Sequence, residues 1–538
     1  MMRRYRVEGN SVRKAAALAP QLLLMGSLAY GGIAQASTYY VSKSGSDSNN
    51  GSSSSPWLTI GHAAAAAGAG STVLVGSGTY HESVLFAKSG TSSAPIVFDG
   101  QGAAIIDGSS GVTCCTTPAF ASTNGFLGGN TMGLVNVGAT SGVSYLTVQN
   151  FTIQNFKTSS TAEVPVGVLI AGSGTGIQLL NNKVLNIQTT AGADGNAYGI
   201  GVFGTSETPL SVTVSGNTVS GCLTGESETV TFNGNVQNFT VSQNTVYNND
   251  NIGMDAIGFE GVGPTGHDQA GNGDFVGNLI YNNSTARNPG GGDSYEEDGL
   301  YCDGCTGVTF ERNTVYGNDL GIEVASETAG EVSSNVIVRN NLIYANNSNG
   351  ISVGGYNKSS TGGSTNVTIV NNTLYNNDTQ QQGSGEFQVQ YRATGIIFEN
   401  NIVYTGAEGL FLHGYVSGSG VTLNNNIYYT TSGTSTFELN DKSYSSFATY
   451  VSKTGQDKNS QFTNPDYATV PTCTSTAENS APSPITTCTA SNFDIPTSSP
   501  AEGTGNVTLG TGDYGTVDFN GNPRVSSSGL INIGAFEQ

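Results

Sequence analysis

A short motif recurs along the middle of this chain: an asparagine, any residue, an aliphatic residue and often a tyrosine. It begins at Asn182-Lys-Val and returns at Asn217-Thr-Val, Asn244-Thr-Val-Tyr247, Asn278-Leu-Ile-Tyr281, Asn313-Thr-Val-Tyr316, Asn341-Leu-Ile-Tyr344, Asn372-Thr-Leu-Tyr375 and Asn401-Ile-Val-Tyr404, with a looser copy at Asn426-Ile-Tyr428. The intervals are 35, 27, 34, 35, 28, 31, 29 and 25 residues. A fixed landmark at irregular spacing means equivalent strands joined by loops of variable length, which is how a solenoid reads in sequence. Asparagine tolerates the left-handed turn conformation and can stack its amide on the asparagine of the next coil. These asparagines are therefore expected to be structural, in a solenoid of about ten coils.

Each coil also carries a second short strand upstream of the next asparagine. A period of two places apolar pairs inward: Ile200/Val202, Val230/Phe232, Ile257/Phe259, Leu300/Cys302, Ile322/Val324, Ile351/Val353, Phe387/Val389 and Leu410/Leu412. The outward residues then form two columns. One reads Gly201, Thr231, Gly258, Tyr301, Glu323, Ser352, Gln388 and Phe411. The other reads Phe203, Asn233, Glu260, Asp303, Ala325, Gly354, Gln390 and His413. Glu260 and Asp303 become stacked neighbours, with Glu323 diagonal to Asp303. Long insertions at 261–275 and 285–298 stand beside these carboxylates and are expected to wall a groove.

Composition supports an all-β reading. Gly numbers 75, only 11% of residues are charged, and long amphipathic helices are absent. Net charge is −21, and no Lys or Arg occurs between Lys183 and Arg287. That excludes nucleic acid as a natural partner and disfavours a strongly anionic glycan unless a cation bridges. Residues 1–36 read as an export signal: Arg3, Arg4, Arg6, Arg13 and Lys14 precede an apolar run that ends in Ala34-Gln35-Ala36. The expectation is cleavage after Ala36, a periplasmic or secreted bacterial protein with no membrane span in its mature form, and a monomer. Export permits disulfides. Of the seven cysteines, Cys473 and Cys488 are the expected pair, closing a loop-rich segment. Cys302-Asp-Gly-Cys305 has redox or metal spacing, but Cys302 occupies an inward position, which favours a core role.

The two ends carry a resemblance. YYVSKSGSDSNNG, PWLTI with the Ala-rich run Ala63 to Ala67, and STVLVGSGTYHE open the mature chain; DFNGNPRVSSSGLINIGAFEQ closes it. These segments resemble the caps of secreted right-handed parallel β-helix proteins of the pectate-lyase-like superfamily. The resemblance implies an all-β, single-stranded right-handed parallel β-helix. Its parts would be an N-terminal cap with first coils at 37–110, the β-helix at 111–440 and a C-terminal capping segment at 441–538.

The outward columns point to carbohydrate chemistry. Glycoside hydrolysis takes one carboxylic acid to protonate the leaving oxygen and a second carboxylate to attack or to activate water. Crowded carboxylates hold one member protonated near neutral pH. Asp303 is the expected acid, raised by Glu260, and Glu323 the nucleophile or base. Tyr301, Gln388, Gln390, Tyr391, His413 and Glu386 are the expected substrate-binding residues. No cofactor is required by this reading. The resemblance implies a second chemistry, a calcium-dependent lyase, for which Asp298, Asp303, Glu260 and Asp255 would supply oxygen ligands; Arg392 and Lys358 are the nearest bases, though neither falls in the outward columns. A third class is a non-catalytic glycan-binding surface protein.

Overall fold

The computed structural model describes residues 37–115, 130–138, 142–192, 194–288, 295–414, 420–477, 484–489 and 493–537. The expected export signal, residues 1–36, lies outside them. The described chain winds as an all-β, right-handed parallel β-helix. Equivalent strands pair in parallel from coil to coil: Thr245–Tyr247 with Leu279–Tyr281, then Thr314–Tyr316, Leu342–Tyr344, Thr373–Tyr375 and Ile402–Thr405.

The recurring asparagine is a hydrogen-bond ladder. Asn278 shows the pattern: its N–H and its Nδ2 both donate to Asn313 Oδ1, at 2.9 and 3.0 Å, and Nδ2 also donates to Val241 O at 2.9 Å. The same bonds join Asn182, Asn217, Asn244, Asn313, Asn341, Asn372, Asn401 and Asn426 in sequence order. Each side chain thus serves the buried backbone at a corner, where the strand ladder is interrupted and polar groups would otherwise be orphaned. The left-handed turn is not made by the ladder asparagine itself. It falls on the residue before it: Asn181, Gly216, Gln243, Gly277, Arg312, Asn340, Asn371, Asn400 and Asn425 all have φ between 53° and 69°.

A second ladder, not expected from the sequence, runs at the next corner through Asn249, Asn283, Asn318, Asn346 and Asn377. It follows the same grammar, because Asn248, Asn282, Gly317, Ala345 and Asn376 precede its members at positive φ. Its last amide is held by Glu386, whose Oε1 and Oε2 accept from Asn377 N and Nδ2 at 2.9 and 2.7 Å. Between the two corners, Tyr247, Tyr281, Tyr316 and Tyr344 stack on the outside with ring centroids 4.9 to 5.0 Å apart.

Among the described residues the sheet that carries the candidate site contains thirteen strands, from Val84–Phe86 to Lys442–Tyr444, the last pairing antiparallel. Twelve of the thirteen stack in parallel, somewhat more than the ten coils expected from the landmarks and the N-terminal turns. Its register corrects the expected alignment in two places. Val230/Phe232 stack on Met254/Ala256, which stack on Leu300/Cys302. Ile257/Phe259 is therefore not the inward pair, and Asp255, not Gly258, stands between Thr231 and Tyr301. The chain turns away after Ile257, at Phe259 with φ of 72°, so Glu260 leaves the sheet. The inward demand is met by Met254 over a small Ala256, a pairing that a search for large apolar residues passes over. Near the C-terminal end, Phe387 pairs with Leu412 and Gln388 with His413, so Phe411 yields its column place to His413.

Inside the coils one contiguous apolar core runs the length of the solenoid. At the N-terminal end the short helix Ile60–Ala66 buries Ile60, Ala63 and Ala64; Thr59 caps it, and Glu82 accepts the N–H groups of Ile60 and Gly61. At the other end the helix Phe447–Thr454 sets Tyr450 on Phe437, centroids 4.7 Å apart. The remainder of the C-terminal segment runs back along the outside of the coils. Asn340 Nδ2 donates to Tyr514 O and Val517 O, and Phe493 packs on Tyr344 and Tyr375. Cys302 and Cys305 are bridged within the core. Cys473 and Cys488 are bridged across their hairpin, the pairing expected.

Two stability measurements follow from these contacts. Asn313→Ala should lower unfolding free energy by about 3 kcal/mol, since it orphans the Asn278 N–H and the Phe275 carbonyl. Urea titration checks it, and a loss under about 1 kcal/mol would mean that water replaces the amide. Replacing both Cys473 and Cys488 by Ser should cost about 3 kcal/mol through loop-closure entropy, read as a lowered urea midpoint.

Candidate functional site

On the outer face of this sheet lies a cavity of about 600 Å³. Its floor is built by register. Tyr301 pairs with Glu323, Glu323 with Ser352 and Ser352 with Gln388, so one outward column supplies tyrosine, carboxylate, hydroxyl and amide in order. A neighbouring column at the corner supplies Asp298, Leu320 and Asn349. The walls come from loops: Tyr295, Glu296 and Glu297 before the strand Asp298–Asp303, Glu327 and Tyr356 beyond the next two strands, and Gln382 and Ser384 before Phe387.

Two of these loops are held by single charged side chains. Asp378 accepts the N–H groups of Gln382, Gly383, Ser384 and Gly385 at 2.6 to 3.0 Å. Arg392 donates to the carbonyls of Asn357, Lys358, Thr361 and Gly362, which shape the loop after Tyr356.

The structure brings some expected residues into the cavity and moves others out. Glu323, Tyr301, Gln388, Gln390 and Asp298 line it. Asp303, expected as the acid facing Glu323, does not. It is 4% exposed, and its Oδ1 accepts the backbone N–H of Glu327 at 2.7 Å. Glu260 is exposed beyond the sheet, where Oε2 accepts from Asn233 Nδ2 at 2.7 Å. It is no stacked neighbour of Asp303, because the strand ends at Ile257. Asp255 is buried beside Tyr301, with Oδ1 3.4 Å from Asp303 N. His413 lies two coils beyond Glu323's neighbour Ser352, with Nε2 3.6 Å from Glu438 Oε2. Tyr391 bonds through its backbone to Gly355. Glu386 is a ladder cap rather than a binding residue, because the inward-facing corner position turns it into the core. Arg392 is tied to loop carbonyls, and neither it nor Lys358 lines the cavity.

Glu296, Glu297, Glu327 and Tyr356 line the cavity and were not singled out in the sequence. Their signals were present but weak: the Glu-Glu pair directly before the site strand, and Glu327 two residues past the outward Ala325.

Burial and mutual repulsion set the protonation of this cluster. Burial, opposed in part by Ser352 and Asp298 and reinforced by Glu327, raises Glu323 to about 7. Burial and then Glu323 and Glu297 hold Asp298 well above the carboxylate range. Burial and Glu327 do the same for Asp303. Burial and Glu260 push Glu228 to about 8. One proton shared between Asp298 and Glu323, whose carboxyl groups hydrogen-bond, relieves like-charge repulsion at the cavity floor. Calcium would need converging oxygens. Among the described residues no three acidic, His or Cys side chains converge to hold a metal.

A family model described as "Right handed beta helix region" matches residues 141–363, which span the cavity floor up to Ser352. Over 431 residues the chain is 35% identical to the uncharacterized protein YwoF of Bacillus subtilis (strain 168), covering 79% of this chain and 87% of that protein. The chain belongs to the YwoF family of right-handed β-helix proteins. Among solved structures, XylC in complex with xylose matches with a TM-score of 0.51 at 14% identity, over 80% of this chain and 87% of that one. Pectate lyase Pel9A matches with a TM-score of 0.43 at 17% identity, over 94% and 98%. The right-handed parallel β-helix expected from the two ends of the chain is the fold observed. Among the described residues no helix is long and apolar enough to cross a membrane.

The raised carboxyl pKa values fix a sign for pH dependence. The folded state keeps protons on Glu323 and Glu228 that the unfolded chain, near 4.5, has released. Their stabilising contribution is full below about pH 4.5 and is lost as pH rises through about 7 to 8. The urea midpoint should therefore fall between pH 5.5 and pH 8, and Glu323→Gln should shrink the fall. A midpoint that rises over this range would contradict the assignment.

Proposed function

We propose that the protein is a carbohydrate-active enzyme that hydrolyses glycosidic bonds in this cavity. The observation that carries the reading is Glu323: a partly exposed carboxyl at the floor of a polar cavity, raised to about 7 and hydrogen-bonded to Ser352 and Asp298. Protonated near neutral pH, it serves as the acid that delivers a proton to the glycosidic oxygen. Glu327, exposed at the cavity and held at its backbone N–H by Asp303, serves as nucleophile or as the base that activates water. Asp303 is then a positioning residue. Tyr301, Gln388 and Gln390 bind sugar hydroxyls and ring faces. XylC, which shares the fold, was solved with xylose, which fits a sugar as the class of ligand. Elimination, the alternative chemistry, wants a base near the substrate, and Arg392 spends its guanidinium on loop carbonyls. The reading needs no cofactor, and the export signal expected at residues 1–36 fits a protein outside the cytoplasm.

Glu323→Gln and Glu327→Gln should each lower kcat by about 10²- to 10⁴-fold without lowering the melting temperature. A chelator should leave turnover unchanged. A polysaccharide panel, scored in parallel for new reducing ends and for ultraviolet-absorbing unsaturated ends, provides the measurement. Unsaturated products that vanish with chelator would replace hydrolysis by calcium-dependent elimination.

A further inference from the structure

The cavity's charge is one-sided. Five carboxylic acids line it, Glu296, Glu297, Asp298, Glu323 and Glu327, and among the described lining residues there is no Lys, Arg or His. Two carboxylates suffice for hydrolysis. The additional acids make ionisation costly in the empty cavity, where they must hold protons unless a ligand brings the opposite charge.

Its unmet hydrogen bonds have the same sense. Asp298 is 2% exposed, lines the cavity, and its Oδ1 receives no donor. Asn349 and Gln390 spend amide N–H groups on Gln388 Oε1, at 3.4 and 3.0 Å. That leaves Asn349 Oδ1 and Gln390 Oε1 buried in the cavity lining without a partner. All three orphaned atoms are acceptors, so what is missing is a donor.

Resting on the carbohydrate reading, we propose that the substrate is a cationic amino-sugar glycan, with a free primary ammonium on the sugar seated against Asp298. An ammonium brings three donors and a positive charge. An N-acetylated amine brings one donor and no charge, and a uronate brings a repelled charge. A bare metal ion fits less well, since the cavity is of oligosaccharide size and no three ligating side chains converge among the described residues.

The test is calorimetry on the mature protein with four probes: a glucosamine oligomer, a galactosamine oligomer, the N-acetylglucosamine oligomer of equal length and an oligogalacturonate. At least one free-amine oligomer should bind about tenfold or more tighter than the N-acetylated one, and oligogalacturonate should not bind. Asp298→Asn should erase most of that preference, and Glu296→Gln, on the cavity wall, should reduce it even if Asp298→Asn fails to fold. Equal or tighter binding of the N-acetylated oligomer, no binding by either free-amine oligomer, or displacement of the bound amine by micromolar calcium would each overturn the inference. The two readings fail separately. Amine binding with no cleavage of any glycan removes hydrolysis and keeps the amino-sugar site. Cleavage of neutral glycans without preference for the free amine does the reverse.

Discussion

Everything in this protein hangs on the side-chain amide of asparagine at the corners of the coil. A parallel β-helix must bend its chain several times per turn, and each bend interrupts the strand ladder where the backbone is still buried. Asn278 meets that demand alone: one amide accepts the previous coil, while its nitrogen reaches both the next coil and the Val241 carbonyl. An aliphatic residue in its place would leave buried backbone polar groups unpaired at every coil. Loops can grow between coils because the ladders, not the loops, set the stacking. That freedom lets loops of different lengths bring Tyr295, Glu327, Tyr356 and Gln382 to one cavity.

The division of labour is spatial. Both ladders and the stacked tyrosines occupy corners and one flank, where the returning C-terminal segment covers Tyr344 and Tyr375. The opposite sheet is left free to present side chains in columns. A regular column is a ruler: once Leu300 and Ile322 face the core, Tyr301, Glu323, Ser352 and Gln388 must follow one another on the outside. The cost of loading such a column with acids is visible in the raised carboxyl pKa values. It is offset in part by hydrogen bonds from Ser352 to Glu323, from Asn233 to Glu260 and from the Glu327 backbone to Asp303.

Within the acidic patch, exposure separates roles that composition cannot. Asp303 and Asp255 are buried and spend oxygens on backbone N–H groups. Glu323 and Glu327 reach the cavity. The first pair shapes the site; the second can meet a ligand.

The chain alone determined the solenoid, its all-β character, the nine ladder asparagines, the Cys473–Cys488 pair and the outward places of Tyr301, Glu323 and Gln388. These are local properties: a period of two, a landmark that must recur in every coil, and an amide whose hydrogen bonds are the same each time. The second ladder too is written in the chain, as Tyr-Asn-Asn at 247–249, 281–283 and 375–377. What only the tertiary structure decided is where the chain leaves the sheet. Glu260 and Asp303 look like stacked neighbours until the left-handed turn at Phe259 lifts Glu260 away and the pair Met254/Ala256 takes the inward places. Glu386 looks like a site residue until the corner turns it inward onto Asn377. Glu296, Glu297 and Glu327 acquire a common cavity only because loops of unrelated length close over one column. A periodic pattern carries direction along a strand; where strands stop and which loops meet is a long-range packing outcome, and it chose which carboxylates face the cavity.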